Sequence, residues 1–126
     1  MSSMDAPIPV SRAVTQEVIR AAQEILSGSV GVIEGARKIA SLHLYSGHGA
    51  QPRDADYALF LEIDSRTTHL PVGASRRFWS AAALQAKDLE IETLEESYRS
   101  RASLAAHNLI ARLERGEERS RWWKFW

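Results

Sequence analysis

The sequence predicts an all-α fold: an antiparallel helical hairpin, one long C-terminal helix, and between them an irregular segment or a small β-hairpin. Three observations predict it. Apolar residues recur at spacings of three and four through residues 14–44 and again through 84–113. No Pro or Gly interrupts residues 81–115. The one strand-like run, Tyr57 to Ile63, has a single neighbour to pair with.

Residues 1–10 contain Pro7 and Pro9, which remove two backbone donors and hold the preceding residues extended, so a flexible arm is expected there. Ser11 suits an N-cap, and Val14, Val18, Ala21 or Ala22, and Ile25 form the stripe of a first helix ending near Ser27. Gly28 can close that helix in the left-handed conformation, and Ser29 can cap the next. Ile33, Ala36, Ala40 and Leu44 continue a stripe to about Tyr45. So short a connection implies an αα-hairpin. Gly31 and Gly35 lower helix propensity but, with Ala36, leave a flat surface where another backbone can approach.

Residues 46–54, SGHGAQPRD, read as a loop. The run YALFLEI that follows is continuously apolar, so periodicity does not separate a buried strand from a buried helical turn. An irregular segment with one helical turn is expected, with a hairpin to residues 67–72, edged by Pro71, as the other choice. Trp79 is expected to be anchored against the core, stapled onto Leu84 across the Ser80 cap. Leu84, Ile91, Leu94, Tyr98, Ala102, Ala105, Leu109 and Leu113 then mark one face of a helix from Ala81 to about Arg115. Acidic residues crowd its first half and arginines its second, in accord with the helix dipole, and Glu95 and Arg99 stand in the favourable i, i+4 order. The domain reading is therefore an arm (1–10), one helical domain (11–115) and a Trp-rich tip (116–126).

Composition excludes more than it identifies. The chain has 126 residues, enough for one domain, and its 16 basic and 16 acidic residues cancel, so no global charge recruits a polyanion or an anionic membrane. With 44% hydrophobic residues it belongs with ordinary globular chains. The absence of cysteine rules out a disulfide scaffold, a cysteine-ligated zinc or iron–sulfur site, and thiol catalysis. No apolar run approaches the ~18 residues of a membrane span, and the N-terminus lacks the features of a signal peptide. A cytoplasmic protein is expected, with no nucleic-acid or membrane partner.

Candidate chemistry centres on Glu34, Arg37, Asp64, Ser65 and His69. His43, His48, His69 and Asp64 can be drawn as a cation site, yet no ligand-spacing motif supports it, so neither metal nor cofactor is expected. His43 and His48 read as surface or helix-end residues, and His69 as bonding a nearby backbone group to pin the turn. Asp64, Ser65 and His69 are the residue types of a hydrolytic triad without the nucleophile elbow, and Asp64-Ser65 with Thr67-Thr68 is what a polar turn requires. GVIEGARK lacks a phosphate-loop pattern. The tip, RWWKFW, concentrates Trp122, Trp123, Phe125 and Trp126 as candidate partner-binding residues.

VIEGARKIASL (32–42), FLEIDSRTTHLPVG (60–73), RRFW (76–79) and ALQAKDLEIETLEESYR (83–99) together resemble a family of small bacterial proteins of unknown function. The resemblance covers about residues 18–113. It implies that Glu34, Gly35, Arg37, Asp64, Ser65, His69, Leu70, Pro71, Gly73 and Trp79 belong to one shared framework, and it implies no activity.

Two functions follow as expectations. The first is a non-enzymatic protein-interaction or accessory module. The second is a small enzyme or ligand-binding domain with acid–base chemistry around Glu34, Arg37, Asp64 and His69. A 35-residue helix would be about 52 Å long against a domain diameter of about 36 Å. A weak homodimer covering Leu109, Ile110, Leu113 and the tip is therefore expected, because no Pro or Gly provides a hinge for folding back.

Overall fold

Gly28, at φ 79°, ends the first helix and turns the chain back on itself, the conformation that only a residue without Cβ adopts at little cost. The structure, a computed structural model, describes residues 12–45 and 54–123. Its order is α1 (Arg12–Ser27), α2 (Val32–Tyr45), α3 (Ala55–Arg66), a 3-10 helix (Gly73–Phe78) and α4 (Ala81–Trp123). No strand occurs among the described residues.

The hairpin of α1 and α2 forms as the stripes predict, with Val18, Ala21, Ala22 and Ile25 buried against Ile33, Ala36 and Ala40. Its glycines admit side chains rather than a backbone. A Cβ on Gly35 would lie 2.3 Å from Ile25 Cγ1, and one on Gly31 would lie 2.5 Å from Glu95 Oε1. Ser29 does not cap α2; its hydroxyl donates to the Glu24 carbonyl at 3.4 Å and belongs to the end of α1. The first turn of α2 is instead closed from outside, by Glu95 of α4 accepting from the Ile33 N–H at 3.1 Å. A carboxylate on orphan N–H groups at the positive end of a helix is the ordinary capping arrangement, supplied here from 62 residues away. Glu95→Ala is expected to lower stability by about 1 kcal/mol, measured by urea unfolding.

The middle segment is neither irregular nor a hairpin. Asp54 caps α3, its Oδ1 accepting from the N–H groups of Asp56 (2.8 Å) and Tyr57 (3.3 Å). Phe60, Ile63 and Thr67 then fall at steps of three and four and are buried. The continuous apolar run hides this periodicity because Tyr57 and Leu59 also pack on the core. Thr67 ends the helix by donating its hydroxyl to the Ile63 carbonyl at 2.6 Å, which satisfies a buried polar atom locally.

Ser80 caps α4 as its position suggests, accepting from the Ala83 N–H at 3.2 Å. α4 has 43 residues, continuing past Arg115 to Trp123, about 64 Å at 1.5 Å per residue. Its inner face buries Tyr98, Ala102, Ala105, Ala106 and Leu109. Four expectations are corrected here. Leu109 is fully buried, and Ile110 and Leu113 pack on the core, because α1 and α3 both pack on α4 and the start of α3 meets Asn108 and Arg112. Leu44 is 50% exposed, since Ile39 and His43 take the inward positions of α2. His43 is buried, its ring stacked on Tyr57 at 4.4 Å. Trp79 lies outside the core at 38% exposure, because the 3-10 helix turns Phe78 and Trp79 outward. Residues 1–11, residues 46–53 with His48, and residues 124–126 with Phe125 and Trp126 lie outside the described residues, as do the side chains of Trp122 and Trp123.

Candidate functional site

The sequence-predicted cluster comes together only in part, and Arg37 organises that part. From the middle of α2, its Nη2 donates to the Thr67 carbonyl at 2.5 Å and its Nη1 to the Leu70 carbonyl at 3.4 Å. Its Nε lies 3.4 Å from Asp64 Oδ1. One planar guanidinium thus holds the end of α3 and the turn after it, a geometry that a fork of rigid donors suits. Glu34, one turn earlier on α2, lies over Gly73, where a Cβ would be 2.7 Å from its Oε1. Gly73 has φ 64°, so both its backbone conformation and its neighbour favour glycine.

His69 leaves this group. Its Nε2 is 2.7 Å from Glu90 Oε1 on α4, and Ser65 is exposed on the last turn of α3. No imidazole therefore stands beside Asp64 among the described residues. Acid–base catalysis requires a base within hydrogen-bond reach of the proton it moves. What Arg37 does with Asp64, Thr67 and Leu70 is to fasten α2, α3 and the turn into one unit. Among the described residues no group of three or more His, Asp or Glu side chains is placed to hold a metal ion.

A larger polar system runs along α4, and sequence reasoning missed it. Arg76 donates to both oxygens of Asp88 (2.7 and 3.0 Å). Glu90 meets His69, and Glu95 caps α2. The Tyr98 hydroxyl donates to Glu62 Oε2 at 3.1 Å and accepts from Arg66 at 3.3 Å. Asn108 donates to Asp56 at 3.2 Å, and Arg112 spans Asp54 and Asp56. Every one of these links joins residues at least 12 positions apart, so spacing along the chain carries no signal for them.

Burial acts to raise the Asp54 carboxyl, but the Arg112 hydrogen bond and the backbone N–H groups of Asp56 and Tyr57 outweigh it and hold it below its ordinary 3.8. The Arg76 hydrogen bond lowers Asp88, and the His69 hydrogen bond lowers Glu90. A carboxyl depressed on folding contributes stability that is complete above its unfolded value and is lost as pH falls through the folded one. The melting temperature is accordingly expected to hold between about pH 7 and 5 and to fall by several degrees toward about pH 2.5. Arg112→Met should flatten that acid limb, as followed by circular dichroism.

Exposed apolar side chains stand at the N-terminal end of α4 and just before it. Phe78 is 78% and Leu89 67% exposed, with Trp79 next to Phe78 in sequence. Arg76, Ala81, Leu84, Gln85, Asp88, Leu89 and Glu92 line an open groove of about 580 Å³ there. No protein-family model, curated protein or solved structure matches this chain. No helix among the described residues is long and apolar enough to cross a membrane.

Proposed function

We propose that this chain is a non-enzymatic protein-interaction or accessory module, of the bacterial cytoplasm, whose working surface is the N-terminal end of α4. The observation that carries the reading is the exposure of Phe78, just before α4, and of Leu89, which lines an open groove on α4. Large apolar side chains gathered in one place mark interaction sites more often than isolated ones do. The Arg37 unit supports the same reading from the other side, because its guanidinium is engaged on backbone carbonyls of its own chain. On this view Glu34, Gly35, Arg37, Asp64, Leu70 and Gly73, the core of the family-like framework, are fold-determining contacts.

The test is retention of a protein from native lysate on the immobilised full chain. Phe78→Asp with Leu89→Asp is expected to abolish retention and leave the melting temperature within about a degree, because both side chains are already in water. Retention that survives the double substitution, or no retention at all, removes this reading.

A further inference from the structure

We propose that the groove face of α4 docks on the same face of a second copy of this chain, the N-terminal halves of the two α4 helices running antiparallel. The proposal rests on the interaction reading above and names the partner. Ala81, Gln85, Asp88 and Glu92 of the groove fall within about 60° of arc on the helix, with Leu84 to one side of them and Leu89 to the other. That arc lies about 100° round α4 from the face that buries Tyr98, Ala102, Ala105 and Leu109. A partner seated there displaces nothing from the core.

Charge selects the occupant. Residues 76–87 carry Arg76, Arg77 and Lys87 and no acid, while residues 88–96 carry Asp88, Glu90, Glu92, Glu95 and Glu96 and no base. Part of this charge is matched within the chain, where Arg76 holds Asp88, Lys87 and His69 meet Glu90, and Glu95 caps α2. What remains is exposed and still divided by sign. Arg77 has only the Phe78 ring under its guanidinium, at 4.9 Å, and precedes the positive end of α4 by four residues. Glu92 and Glu96 are exposed and have no ion pair or hydrogen bond among the described residues. A surface with one cationic and one anionic end matches its own image only when the image is reversed. An antiparallel copy brings Arg77 and the helix start toward the partner's Glu92 and Glu96, at both ends of the contact, whereas a parallel copy sets like charges together. With the two-fold axis between positions 86 and 87, Ala81 stands opposite the partner's Glu92, and Gln85 opposite the partner's Asp88. Leu89, 67% exposed, is then covered on both copies at once, and the pairing closes on itself.

In sedimentation equilibrium the full chain should dimerise. Arg77→Glu, and separately Glu92→Lys with Glu96→Lys, should each weaken the dimer at least about tenfold. An equimolar mixture of the two variants should recover it, because reversed ends then meet unreversed ones of opposite sign. The chain has no cysteine, so single thiols report the register. Gln85→Cys, close to the axis, is expected to link to its own counterpart through a short bismaleimide. Ala81→Cys and Glu92→Cys should link to each other when mixed and neither to itself, since each lies about 16 Å along the helix from its own counterpart. A full chain that stays monomeric at about 100 μM overturns the proposal. Self-linking of Ala81→Cys assigns a parallel pair, and a dimer indifferent to both charge reversals places the contact elsewhere; either result also overturns it. All three leave the interaction reading standing if lysate retention depends on Phe78 and Leu89.

Discussion

Phe60→Ala is expected to lower the unfolding free energy by about 3–5 kcal/mol, the cost of a large core cavity. Phe60 is fully buried on the inward face of α3, in the cluster that joins Ile33 and Ile39 of α2 to Tyr98 and Ala102 of α4. Those neighbours are held by helices docked through polar links at both ends of α3, so the site has little freedom to collapse. Domains of this size are typically stable by only about 5–15 kcal/mol, and the loss would therefore be a large share of the total. Urea unfolding with an unchanged slope gives the value. A loss below about 1 kcal/mol would mean that α3 is not part of the core.

Arg37→Ala is expected to cost about 2 kcal/mol, because it removes charge-assisted hydrogen bonds to the Thr67 and Leu70 carbonyls together with the Asp64 ion pair. Arg37 and Asp64 are each about one-third exposed (31% and 28%), so water recovers part of the loss and the effect stays below that of a fully buried charge pair. Arg37→Lys should rescue less than half of it, since a single ammonium cannot span two carbonyls and a carboxylate. The comparison also bears on function. A stability loss with unchanged lysate retention fits a fold-determining Arg37, whereas lost retention at full stability would return Arg37 to the list of binding residues.

The two helices with clean periodicity, α1 and α4, were legible in the sequence, as were the Gly28 reversal and the Ser80 cap, because each depends on residues within one or two turns. α3 was not. Its apolar run is continuous, and what distinguishes its faces is the docking of α2 and α4 against it. The acids of α4 read as a solvated, dipole-matched face with Glu95 beside Arg99. In the fold Asp88, Glu90 and Glu95 each meet a named partner outside the helix.

The candidate cluster divides in the same way. Arg37 Nε lies 3.4 Å from Asp64, and Glu34 sits over Gly73. His69 was assigned to the same group from its nearness in sequence, yet it pairs across to Glu90. Trp79 looked like a core anchor by its N-prime position, and the 3-10 helix exposes it. By itself the sequence determined that this protein is helical, where its hairpin turns and which face of α4 is apolar, since those properties follow from local propensity and a 3.6-residue period. Only the tertiary structure decided what meets that face and what covers Gly31, Gly35 and Gly73. It also left Phe78 and Leu89 in water, because contacts between residues 30 or more positions apart depend on how whole helices dock.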